Sequence, residues 1–141
     1  MKTVNQQSEY SSRCYVSEAI FIRHKDMRKK VLYENIMWIE VNGSYCDIHL
    51  ITGETITVVH TLVNLERKLP DNLFIRIHRS YIINVHHVEG LIGNMVYIDK
   101  KKLPVSNPYY KELAACFNIL EDTNTLFKYK RRENNKNPYT K

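Results

Sequence analysis

The sequence predicts a mainly β domain of about ten short antiparallel strands with two short helices. Three observations lead there. Short runs alternate apolar and polar residues with the period of half-buried strands, as in Phe74-Ile75-Arg76-Ile77-His78-Arg79. Turn signals separate the runs: Lys25-Asp26, Asn42-Gly43, Thr52-Gly53, Gly93-Asn94 and Asp99-Lys100. Helical spacing with a start and a stop signal occurs only twice. At 141 residues and 43% hydrophobic content, the chain is one domain's worth and buries a core without staples.

Taken in order, residues 1–17 are polar and read as a flexible N-terminal arm without a hydrophobic signal region. Ala19 to Arg23 is a first strand, and Val31-Leu32-Tyr33 continues a second. Ile36 to Val41 is a third strand. Asn42-Gly43 turns the chain because both residues tolerate positive φ, and Tyr45 to Leu50 returns in alternation. Thr55 to Val59 completes a meander. Thr61 caps a short helix with Leu62, Leu65 and Leu69 on one stripe, and Pro70 stops it. The Phe74 strand then leads through His78-Arg79-Ser80 into Tyr81-Ile82-Ile83-Asn84, where Asn84 bonds the local backbone. Val88 to Ile92, Met95 to Ile98 and Leu103 to Val105 are the remaining strands. A second helix starts at Pro108 with Asn107 as N-cap, and Tyr109, Leu113, Cys116 and Leu120 form its apolar stripe. The domain is expected over residues 18–121, followed by a basic tail, 122–141, that is disordered on its own.

Charge narrows the function. Net charge is +6, which suits an anionic partner. From Lys128 onward there are six cations against one anion, so the tail carries +5 of it and the rest is nearly neutral. Lys128-Tyr129-Lys130-Arg131-Arg132 suits a phosphate backbone or a base stack, or equally a solubilising end. No apolar run approaches a membrane span, and with no export signal a cytoplasmic location is expected. Cys14, Cys46 and Cys116 are odd in number and lack metal-type spacing, so they read as reduced thiols. His86 and His87, adjacent on a strand, point to opposite faces and do not share an ion. No Gly-rich phosphate loop or Gly-x-Ser-x-Gly elbow is present, so neither enzyme activity nor a cofactor or metal is expected.

Three segments carry the chemistry. His78-Arg79-Ser80 is a compact donor set between apolar groups, with a guanidinium at the end of a packed strand, as phosphate or guanine reading requires. Upstream lies Asn35 to Tyr45, containing Ile-Glu-Val-Asn-Gly-Ser-Tyr. Downstream lies Lys102-Leu103-Pro104-Val105-Ser106. In this order and spacing the three segments resemble the LytTR family of bacterial DNA-binding domains, over about residues 18–117.

The resemblance implies an elongated arrangement of antiparallel sheets in which loops between strands, not a recognition helix, hold DNA. It implies a member related to response-regulator output domains that is either stand-alone or a fragment, since about 17 residues leave no room for a receiver domain. On it, Asn42, Gly43, Ser44 and Tyr45 form a loop entering the major groove. Taken alone, the same residues are an ordinary tight turn with Tyr45 packed on the sheet. The second contact is His78, Arg79 and Ser80, with Arg79 on base or phosphate, Ser80 on phosphate and His78 orienting the loop. The third is Ser106 and Asn107, with Lys111 one turn along. Here the chain departs from the family, which usually carries arginine just after the serine, and Asn107 is expected to be tied up as a cap. The expected function is a sequence-specific transcriptional regulator of double-stranded DNA with paired direct repeats. A homodimer on DNA and a regulatory protein partner stay open. The alternative is a protein-interaction module that sequesters a partner and has weakened DNA binding.

Overall fold

A computed structural model describes residues 17–122; the rest of the expected arm and tail lies outside the described residues. The turn dipeptides act as read except at Asn42-Gly43, where Asn42 ends a strand and the turn falls on Gly43-Ser44, since only Gly43 takes a positive φ. Lys25-Asp26 joins β1 (Ala19–His24) to β2 (Met27–Leu32). Then come β3 (Ile36–Asn42), β4 (Tyr45–Leu50) and β5 (Thr55–Val58), the meander. Helix α1 (Leu62–Lys68) starts where the Thr61 hydroxyl accepts from Asn64 N at 3.1 Å. Next are β6 (Phe74–His78), β7 (Tyr81–Asn84), β8 (Gly90–Ile92), β9 (Met95–Ile98), β10 (Lys101–Pro104) and α2 (Asn107–Ala114). Every strand pairing is antiparallel.

The strands form a β1-β2 pair, a central sheet in the order β5-β4-β3-β7-β6, and a small sheet β10-β9-β8. The central sheet is buried on both faces. Ile39, Ile48, Ile56 and Ile82 pack with β1-β2 and α1, against Ile22, Val31, Leu62 and Leu65. Trp38, Ile77 and Ile83 pack on the other face with Val96, Ile98, Leu103 and Leu113 from the small sheet and α2. Two-sided burial is why Ile36-Met37-Trp38-Ile39 is a continuous apolar run. A register shift between Ile36 and Trp38 re-aims the strand.

Four local expectations are corrected. Tyr33 does not extend β2; it opens a 3-10 turn, Tyr33–Asn35. His86 and His87 lie in another, Val85–His87, because the Asn84 side-chain Oδ1 accepts from His86 N at 2.9 Å, so strand alternation does not govern them. Asn84 also bonds far beyond its neighbours. It is fully buried and donates to Tyr33 O and Ile36 O, each at 3.0 Å, tying β7 to the β2–β3 corner. Helix α2 starts one residue early: Ser106 sits at the N-cap without a side-chain cap bond, Asn107 is the first helical residue, and the helix ends at Ala114. Cys116 and Leu120 therefore fall past the stripe. Leu120 is 97% exposed, while Tyr109, Tyr110 and Phe117 pack beside Leu113.

Cys46 is buried and unpaired, its thiol donating to His60 O, and burial pushes its pKa up. Cys116 is exposed and unpaired. Among the described residues, no helix is long and apolar enough to cross a membrane.

Candidate nucleic-acid interface

The first loop is the tip of the β3–β4 hairpin. Asn42 pairs with Tyr45 across it, leaving Gly43-Ser44 as a two-residue loop. Only Gly43 takes a positive φ, +64°, so glycine stands where a II′ turn needs it. Asn42, Gly43, Ser44 and Tyr45 are all exposed, so Tyr45 is not packed back on the sheet. Asn42 is steadied from beneath: its Nδ2 donates to Asp47 Oδ2 at 2.9 Å, and Thr57 Oγ1 donates to Asp47 Oδ1 at 2.6 Å. The Thr57 bond, then the Asn42 bond, hold the Asp47 carboxyl below the usual aspartate range. Asn42 thus keeps its Oδ1 and one N–H outside this bond.

The second loop is the β6–β7 turn. A register shift between Arg76 and His78 leaves Ile77 as an extra residue, and His78 pairs with Tyr81 to close the turn. Four successive carbonyls find partners. Ile77 O accepts from Ser106 N at 2.9 Å, and Ser80 O from Val41 N at 3.0 Å. His78 O accepts from Arg76 Nε at 2.8 Å, and Arg79 O from Arg76 Nη2 at 2.9 Å. His78 turns inward: its Nδ1 accepts from Ser80 N at 3.1 Å, and its ring tilts against Tyr81. The turn's backbone is therefore held on every side.

Arg79 itself differs from the expectation of a fork at a strand end. It sits in the turn, exposed, and its guanidinium has no hydrogen-bond partner among the described residues. The backbone is set in advance; the side chain is not.

The third region, Ser106 and Asn107, joins the second directly through the Ser106 N bond to Ile77 O. Asn107 is not tied up as a cap: it is exposed, as is Lys111 one turn on. The first region joins the second through Val41 N and Ser80 O. The structure thus gathers all three segments around the β6–β7 turn.

Sequence reasoning missed the residues that hold this arrangement. Arg76 and Glu66 were hidden because their pairing depends on α1 folding over β6. Asp47 and Thr57 pair across β4 and β5, which the meander register alone could have shown. Another network lies on the same face: Trp38 Nε1 donates to Glu40 Oε1, which also bonds His49 Nε2, both at 3.1 Å, while the His49 ring stacks on Trp38 at 4.4 Å. Among the described residues, no group of three or more His, Cys, Asp or Glu is placed to hold a metal.

Fold and site define a class: an antiparallel β domain that gathers polar and basic residues from two inter-strand turns and the start of α2 at one place. The chain belongs to the LytTR family; the family model, described as the LytTr DNA-binding domain, matches residues 26–118. It is 41% identical over 69 residues to "Sensory transduction protein LytT" of Bacillus subtilis, covering 45% of this chain and 29% of that protein. The Enterococcus faecalis protein of the same name is 32% identical over 102 residues, 68% of this chain and 42% of its own length. "CO-responsive transcriptional regulator RcoM" of Rhodospirillum rubrum is 36% identical over 55 residues, 39% of this chain and 23% of its own. The chain spans less than half the length of each. Among solved structures, a LytTr DNA-binding domain from Bacillus cereus matches with a TM-score of 0.60 at 24% identity, covering 70% of this chain and 95% of that one, which bears out the fold.

Proposed function

We propose that this chain is a sequence-specific transcriptional regulator that reads the major groove of duplex DNA through the Asn42–Tyr45 loop, the His78–Ser80 turn and the start of α2. The observation that carries the reading is the pair of backbone bonds, Val41 N to Ser80 O and Ser106 N to Ile77 O, that gathers the three segments. Asn42 and Ser44 suit base edges; Tyr45 and Ser80 suit phosphates. Arg79 suits guanine, and Lys111 takes the place of the arginine missing after Ser106. Residues 18–121 form the reading domain, and two copies sit on paired direct repeats.

Selection from a random duplex library tests this. An enriched motif, repeated with a spacing near one helical turn, is the expected outcome. A library that returns no motif overturns the proposal and favours the sequestering module.

A further inference from the structure

We infer that Arg76 is a positioning residue for the DNA-reading turn and that Glu66 on α1 holds it in place. The inference rests on the proposal that the His78–Ser80 turn reads DNA. Arg76 is itself on β6, yet it closes the turn that follows its own strand. Its guanidinium splits three ways: Nε to His78 O at 2.8 Å, Nη2 to Arg79 O at 2.9 Å, and Nη1 to Glu66 Oε1 at 2.9 Å. The Arg76 side chain is only 14% exposed, against 45% for Glu66. A planar fork with donors on three nitrogens suits two neighbouring carbonyls and a carboxylate at once; a lysine ammonium does not match that planar spread.

The work this does is specific. The turn leaves the Arg79 carbonyl outside the ladder, and Arg76 takes it together with the carbonyl of His78, the last paired residue of β6. With those two peptide planes fixed, the Arg79 Cα–Cβ direction is fixed as well, although the Arg79 guanidinium is free among the described residues. An arginine reads a guanine through a fork whose root must be placed accurately. Glu66 extends the dependence to α1, a helix that carries none of the reading residues. Discrimination by Arg79 therefore depends on how α1 lies against β6.

The rival role for Arg76 is a direct phosphate contact through the two N–H groups it has left. The two roles separate by experiment. The wild-type 141-residue chain, Arg76→Lys, Arg76→Ala and Glu66→Gln are compared on the selected duplex and on a scrambled duplex over a range of salt. The mobility of the Arg79 and Ser80 amides is read by 15N relaxation without DNA. Positioning predicts that Arg76→Lys lowers the selected-to-scrambled affinity ratio about tenfold, within what one base contact supplies. Scrambled binding and the salt slope stay unchanged, and both amides become mobile. Glu66→Gln, which keeps one acceptor, gives a smaller drop, and circular dichroism confirms that each variant folds. An unchanged ratio with rigid amides in Arg76→Lys overturns the inference. So does a salt slope that falls by about one in Arg76→Ala while the ratio holds, since that marks a phosphate contact. If the wild type itself prefers no duplex, the DNA-reading proposal fails, and the relaxation data alone decide whether Arg76 sets the turn.

Discussion

Arg79 combines a fixed root with a free tip, so its chemistry is testable by exchange. Arg79→Lys keeps the charge and loses the bidentate fork. Non-specific binding should persist while preference at one base position falls by roughly 1–3 kcal/mol. If lysine keeps the full preference, Arg79 is a phosphate anchor, and specificity lies in the Asn42–Tyr45 loop or in DNA shape. Asp47 gives a second test, through pH. Its folded-state pKa is depressed, chiefly by Thr57, so its stabilising contribution is present above the ordinary aspartate range and is lost as pH falls through the lowered value. The melting-temperature gap between wild type and Asp47→Asn should therefore close on acidification below pH about 4; a gap that stays constant would refute the link. Asn84 shows what one residue's type cannot tell. That it is a bonding Asn was legible; that its amide spans to Tyr33 and Ile36 was not, since those partners are 51 and 48 residues away. Asn84→Ala removes the amide that bonds Tyr33 O, Ile36 O and His86 N and should cost about 1–3 kcal/mol in chemical denaturation.

At the scale of elements, strands and their turns were legible because each is decided by neighbours in sequence: alternation for the strands, turn dipeptides for the connections. The two 3-10 turns and the end of α2 were not. The turn at Val85–His87 is set by Asn84, and α2 ends at Ala114 although the apolar pattern continues to Leu120. The β9–β10 turn shows a sequence that works against its own geometry. Asp99 and Lys100 take φ of +50° and +64°, a left-handed pair that costs L residues energy. Asp-Gly is the favoured pair for such a turn. Lys100→Gly should stabilise the protein by about 0.5–1 kcal/mol, read as a shift in the denaturation midpoint at constant slope. A loss of stability would mean that the Lys100 side chain makes up for the strain.

At the scale of the whole molecule, the distribution of charge separates recognition from attraction. The candidate site residues include a single arginine and a single lysine, Arg79 and Lys111, among side chains without fixed charge, with the Asp47 carboxylate beneath Asn42. Before Lys128 the chain holds 15 basic and 14 acidic residues, so the gathered loops bring geometry but little net field. The six cations from Lys128 to Lys141 supply the surplus, and charge of that kind acts on phosphates without regard to sequence. Deleting residues 128–141 should therefore weaken binding to the selected and to scrambled duplexes by the same factor, leaving their ratio unchanged. The slope of log affinity against log salt should flatten by about 0.9 for each phosphate released, and by no more than about five in all. Both quantities come from one titration series on the full chain and the truncated chain. A truncation that alters which sequence is preferred would place Tyr129 or the arginines beside it at a base, and the division between reading loops and attracting tail would fall.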